Sequence, residues 1–280
     1  MDYMSFLSKV VVKITTDKNS SGTGFFYEFI YSKDTTIPVI LTNKHVIEES
    51  SSIRITLSKN EYFSSENKIV EKEDFLLKDL QNRIVNHPNS DIDLCAIIIA
   101  DMLKKFQDES VKMDIAFLND KNLPNINDLE DLKFAEEVIM IGYPNGISDT
   151  FNNFPVFRKG ITATHPAIKF DGTPHFLIDM TIIPGSSGSP VFLYNATGYS
   201  TKSGEFIFNG ERLMFLGINK AVFIADNFGE IKEVQEPTKL ISHSTIGINL
   251  GIIINSLEIN EIKKEFNKLL ENSEMNGNEN

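Results

Sequence analysis

Three short segments carry residue types that together perform acyl transfer. Gly185-Ser186-Ser187-Gly188-Ser189-Pro190 sits between two strongly β-forming runs, 176–183 and 191–194. A serine acts as a nucleophile when its hydroxyl is accessible and backbone N–H groups await the charge that develops on the attacked carbonyl oxygen. Gly185, two places before Ser187, lets the chain turn its N–H toward such an oxyanion. The N–H of Ser187 is the second donor, and Gly188 allows another backbone to approach. Read alone, the segment is equally a Gly/Ser surface turn; its setting between two strands favours a site.

Leu41-Thr42-Asn43-Lys44-His45-Val46 places a histidine at a strand end. Imidazole titrates near neutrality, so it can take a proton and return it. Ser90-Asp91-Ile92-Asp93-Leu94 supplies two carboxylates ahead of an apolar run. A carboxylate behind the histidine fixes its tautomer and stabilises the imidazolium. Asp93 directly precedes the core strand and is preferred; Asp91 suits a solvated loop. The chain order is His45, Asp93, Ser187. The reverse order, Ser187, Asp226, His243, fits an α/β-hydrolase only formally. Position 189 is Ser where that elbow needs Gly, and no βαβ alternation is present.

The elements that must position these groups are short runs rich in Val, Ile, Thr and Phe, separated by turn residues at 17–19, 145–146, 171–172, 209–210 and 227–229. That pattern predicts an all-β fold of barrel or sandwich type. Segments 101–112 and 119–134 are charged and poor in β-branched residues, and they divide the strands into two groups. The organisation expected is an N-terminal barrel over 1–110 carrying His45 and Asp93, a connection over 111–129, and a C-terminal barrel over 130–255 carrying Ser187. A helix over 256–272 follows, with Ser256 as N-cap, packed on the second barrel, and then a disordered tail over 273–280.

The 280 residues carry a net charge of −12, which repels phosphate backbones and argues against nucleic acid as a partner. Cys95 is the only cysteine, so no internal disulfide can form, and a reducing, cytoplasmic location is expected. The opening residues read as no secretory signal, because Asp2 stands where a basic region belongs and Lys9 and Lys13 break the apolar run. No apolar stretch is long enough for a membrane span. His87, His165, His175 and His243 are dispersed, so no metal site is expected. His165 and His175 flank the loop before the serine strand, where contact with substrate is a minor alternative. Gly22-Thr23-Gly24 lies in a hairpin with no helix after it and is not a phosphate loop.

With those segments in view, the chain resembles the trypsin-like serine peptidases, and within them the bacterial HtrA/Deg-type protease domain. The likeness includes SGTGFFY (21–27), LTNKHVI (41–47), DLCAII (93–98), VIMIGYPNG (138–146), GITAT (160–164), FLIDMTIIPGSSGSPVF (176–192), LGINKAVF (216–223) and GIIINSLEINEI (251–262). It implies two six-stranded antiparallel β-barrels and a C-terminal helix. It implies peptide-bond hydrolysis by His45, Asp93 and Ser187 through an acyl-enzyme, without a cofactor. The oxyanion hole would be the N–H groups of Gly185 and Ser187. A polypeptide substrate would add as a strand beside Gly217, Ile218, Asn219 and Lys220. Thr181 stands where the digestive enzymes carry the acid that selects basic residues, so a small or medium apolar residue is expected before the scissile bond. Ser186 replaces the Asp or Asn usual in the family, and no PDZ pattern follows residue 272. A small protease of this kind needs outside restraint, so a regulatory protein partner is expected. The alternative is a silent or latent scaffold that binds protein or awaits an activating partner.

Overall fold

The computed structural model describes residues 2–33, 35–60, 70–144, 149, 151–225 and 246–277. The turns expected at 145–146 and 227–229, with Asp226 and His243, lie outside the described residues.

The first half begins with helix α1 (Tyr3–Val10) and holds β1 (Val11–Thr16), β2 (Ser21–Ile30), β3 (Thr36–Thr42), the short helix α2 (Lys44–Ile47), β4 (Ser52–Ser58), β5 (Lys72–Lys78), β6 (Ile84–Asn86) and β7 (Cys95–Ile98). Helix α3 (Ala100–Asp108), the two-residue β8 (Leu118–Asn119) and helix α4 (Ile126–Glu130) then lead to the second half. That half contains β9 (Glu137–Gly142), β10 (Val156–Thr162), β11 (His175–Asp179), β12 (Pro190–Asn195), β13 (Gly198–Ser200), β14 (Phe206–Phe208), β15 (Arg212–Ala225) and β16 (Ile246–Asn255), followed by helix α5 (Ile259–Gly277).

The second half closes as a six-stranded antiparallel barrel, β10-β11-β16-β15-β12-β9, with β13 and β14 forming a separate hairpin. The first half is a sheet of eight strands in the order β5-β4-β1-β2-β3-β7-β6, with β8 paired in parallel to β2. Two antiparallel barrels were expected. The all-β double architecture stands, but among the described residues the first half is an open half-barrel, since β5 and β6 at its two ends do not pair.

Strand β2 explains why GFFY (24–27) is a continuous apolar run instead of an alternating one. Successive side chains point to opposite faces. Phe26 joins Val12, Ile14, Ile40, Ile55 and Ile97 inside the first half. Phe25, Tyr27 and Phe29 point the other way, into a second core shared with Ile139, Ile141, Phe192, Phe215 and Ile254 of the barrel. Both faces are buried, so both are apolar. A third cluster, including Met140, Phe176, Ile178, Val191, Leu193 and Leu216, fills the barrel itself.

The C-terminal helix corrects three expectations. Asn255, not Ser256, caps the 3-10 turn Ser256–Glu258 that leads into the helix, accepting from Leu257 N at 3.0 Å, while the buried Ser256 hydroxyl donates to the Phe215 carbonyl. The helix lies across the shared core instead of on the second barrel alone: Phe266 packs 5.2 Å from Phe29, and Lys263 pairs with Asp120. It also runs on to Gly277, through part of the expected tail, because residues 273–276 contain neither Pro nor Gly to stop it. Helices α1 to α4 were not expected from the sequence. Helix α1 is capped by the Asp2 carboxylate, which accepts from Ser5 N at 2.9 Å. Helix α3 buries Met102 and Phe106, four residues apart on one face. Among the described residues no helix is long and apolar enough to cross a membrane.

Candidate active site

Strands β3 and β7 pair with Thr42 opposite Cys95. That register brings the residues just after β3 and those just before β7 to one edge of the sheet. His45, in the turn of α2, and Asp93 therefore meet. Asp93 Oδ2 lies 2.5 Å from His45 Nδ1, and Asp93 Oδ1 accepts from the His45 backbone N–H at 3.1 Å. The carboxylate thus fixes the ring and the chain that carries it. Asn43 adds a third link, its side-chain amide donating to the Asp93 carbonyl at 2.7 Å. The Asp93 side chain is 16% exposed and that of His45 45%, so the pair has a sheltered back and an open imidazole face. Asp91, the rival carboxylate, is exposed in the loop, where its N–H bonds to Asn89 Oδ1. Cys95 is fully buried behind the site, and burial pushes its thiol pKa up, so it is an inert core residue.

Ser187 comes from the turn between β11 and β12. Ser186 N–H donates to the Ile183 carbonyl at 3.1 Å, and Gly185 has φ +89°. With Pro184 at its second position and a glycine of positive φ at its third, this is a type II turn. It leaves the N–H groups of Gly185 and Ser187 without an acceptor among the described residues. All three carbonyls around them are taken. Thr23 Oγ1 donates to Gly185 O at 3.2 Å, Asn219 Nδ2 to Ser186 O at 3.0 Å, and Thr23 N to Ser187 O at 2.9 Å. Gly188 has φ +83°, and a methyl group there would overlap the Thr23 carbonyl oxygen, so only glycine lets the two halves close at this point.

His45, Asp93 and Ser187 line one cleft of about 410 Å3, together with Ile182, Ile183, Pro184, Asn219, Lys220, Ala221 and Val222. A larger cavity of about 670 Å3 also touches His45 and Asp93, but Ser187 does not line it. The Ser187 hydroxyl donates to the Lys220 carbonyl at 3.3 Å and makes no hydrogen bond to His45. Catalytic hydrogen bonds are often long or misaligned before substrate binds.

The residues expected to bind substrate divide. Lys220 lines the cleft. Gly217 and Ile218 do not: they are buried and paired on both sides, with β12 and β16. Asn219 is 1% exposed, and its amide and backbone groups hold the serine turn. Pairing of β15 with β12 ends at Ile218, so the strand's open edge begins later, at Lys220–Val222. Thr181 is exposed outside the cleft, where its carbonyl accepts from Arg158. His165 and His175 are buried and do not line the cleft; His165 bonds the Leu132 carbonyl and His175 the Thr173 hydroxyl. Among the described residues no cluster of His, Cys, Asp or Glu could hold a metal. Sequence reasoning missed Thr23 and Asn43. Their only signal was position, two polar residues inside β-forming runs at a place where burial demands a partner.

The fold and this constellation define a class. The trypsin-like peptidase domain model matches residues 22–199, and the chain belongs to that family. The chain is 30% identical over 144 residues to a probable periplasmic serine endoprotease, DegP-like, of Pseudomonas putida (strain W619). The match covers 49% of this chain and 29% of that protein, so the chain spans less than a third of the curated relative's length. Similar solved structures include the HtrA-type protease AlgW with decapeptide, at TM-score 0.47 and 14% identity over 94% of this chain and 67% of that one. Deg5 aligns at TM-score 0.45 and 17% identity, over 78% of this chain and 82% of that one.

Proposed function

We propose that the protein is a serine endopeptidase with His45, Asp93 and Ser187 as its catalytic triad. The observation that carries the reading is the pairing of His45 with Asp93 at 2.5 Å on the same cleft as Ser187. With Nδ1–H held by Asp93, Nε2 is the basic nitrogen. Ser187 Oγ attacks the scissile carbonyl while His45 Nε2 takes its proton. The oxyanion is held by the N–H groups of Gly185 and Ser187. The tetrahedral adduct collapses, the C–N bond breaks, and His45 gives the proton to the leaving amine. Water, deprotonated by His45, then attacks the acyl-Ser187 ester and returns the hydroxyl.

The substrate is a polypeptide laid along the open edge at Lys220–Val222. Ile182, Ile183, Pro184, Ala221 and Val222 make the cleft apolar, which supports an apolar residue before the scissile bond. The single buried cysteine supports a reducing compartment, and a regulatory protein partner completes the proposal.

Fluorophosphonate labelling followed by intact mass tests this. One adduct is expected on the wild type and none on Ser187→Ala or His45→Ala. A folded wild type that takes no adduct would overturn the reading in favour of a silent or latent scaffold.

A further inference from the structure

We propose that Thr23, in the first half of the molecule, is a positioning residue for the oxyanion donors supplied by the second half. The proposal rests on the peptidase reading above and deepens it.

Thr23 is fully buried in β2, and its N–H and its hydroxyl both bond across the interface. Its N–H donates to the Ser187 carbonyl at 2.9 Å. Its hydroxyl donates to the Gly185 carbonyl at 3.2 Å and accepts from Tyr143 N–H at 2.9 Å. Its carbonyl accepts from the Thr42 hydroxyl at 2.8 Å. Thr23 therefore binds the carbonyls of the two residues, Gly185 and Ser187, whose N–H groups have no acceptor among the described residues. Each of those carbonyls belongs to the peptide following the donor residue, so fixing it restrains the ψ angle beside the donor.

The turn itself has a competing form. Rotating the central Pro184–Gly185 peptide converts a type II turn to type I, moves Gly185 φ from positive to negative, and points its N–H the opposite way. Glycine accepts either sign of φ at little cost, so Gly185 alone does not choose between them. The Thr23 hydroxyl bond to Gly185 O is made in the observed form. The flip leaves Gly185 ψ at about 0° and its carbonyl in place, so the Thr23 hydroxyl acts by fixing the Gly185–Ser186 peptide on which the turn pivots, and a side chain without it leaves that buried carbonyl unpaired. Tyr143 and Thr42 hold Thr23 from either side, and Thr42 lies at the end of the strand that leads to His45. One residue thus ties the turn bearing the nucleophile to the strand bearing the base.

The test is steady-state cleavage of an apolar-site peptide, with affinity for a matching peptide trifluoromethyl ketone, whose adduct needs the oxyanion donors. Thr23→Val is isosteric and keeps the backbone bond to Ser187. It is expected to lower kcat about 10- to 100-fold, short of the ~10²–10³ lost with a whole oxyanion donor. It should weaken the ketone in parallel and leave KM within a few-fold. Thr23→Ser retains the hydroxyl and is expected to restore both. Thr42→Val removes a buried bond to Thr23 without touching the turn, and is expected to lower Tm with a much smaller effect on kcat. Thr23→Ala repeats the test if the valine variant does not fold. Unchanged kcat in Thr23→Val or Thr23→Ala, with an active wild type, overturns this inference alone. So does failure of both to fold while Thr23→Ser folds, which would make Thr23 a folding residue. A wild type that neither cleaves nor labels would overturn the peptidase reading itself, and this inference with it.

Discussion

The side-chain amide of Asn219 donates to the carbonyl of Ser186 at 3.0 Å, inside a turn whose other two carbonyls are held from the opposite half of the molecule. The backbone of Asn219 also accepts from Gly188 N–H and donates to the Ser189 carbonyl, each at 2.9 Å. Asn219→Ala removes the amide and leaves a buried carbonyl unpaired, at about 1–3 kcal/mol. The expected result is a lower denaturant midpoint together with slower fluorophosphonate labelling of Ser187. Loss of stability at an unchanged labelling rate would mean the turn keeps its shape without the amide.

Gly188 and Gly172 both have positive φ, +83° and +73°, yet they should respond differently to alanine. At Gly172 the added methyl meets nothing within 4 Å, so only the backbone cost of about 1–2 kcal/mol applies. At Gly188 the methyl also meets Thr23 and Thr42, adding an overpacking cost of roughly 1–3 kcal/mol and pushing the two halves apart. Equilibrium unfolding of the two variants should rank Gly188→Ala clearly below Gly172→Ala, with peptidase activity lost only in the former.

Asp93→Asn keeps the size of the side chain and an oxygen for the His45 N–H, but it admits the wrong imidazole tautomer. A fall in kcat of about 10⁴-fold with an unchanged fold is expected. Asp91→Asn should leave kcat unaltered, because Asp91 does not reach His45. Kinetics of the two variants against a common peptide check the assignment.

Burial pushes the pKa of His175 down from 6.5 to about 4, with Lys220 adding to the effect. Between those values the unfolded chain binds a proton that the folded chain does not. Stability contributed by neutral His175 is therefore present above pH 6.5 and is lost as pH falls toward 4. The loss is on the order of 3 kcal/mol at 1.36 kcal/mol per pKa unit. His175→Phe should flatten this acid limb in urea titrations across that range, while the wild type declines.

Legibility followed the length scale of each interaction. The runs at 22–30, 137–143 and 189–194 all hold strands, because apolar pattern and turn residues act within a few positions. Asp2 reads in the sequence as a charge unsuited to a leader, and its role as the cap of α1 shows only where its carboxylate meets Ser5 N. The expected substrate edge was placed too early because the chain does not reveal where β12 stops pairing with β15. A free strand edge is a property of the neighbour, and only the register ending at Ile218 reveals it.

By itself the sequence determined the residue types and their order: His45, Asp93 and Ser187, a glycine before and after the serine, and strands to carry them. Those features are local, written in single segments. The tertiary structure decided what depends on register and contact between distant segments. It set Asp93, not Asp91, against His45 through the Thr42–Cys95 register. It turned Asn219 inward, left the first half an open sheet, and set Thr23 beneath the turn of Ser187. Hydrogen bonds have a reach of about 3 Å and a direction. Which groups meet at that distance is fixed only when the two halves pack.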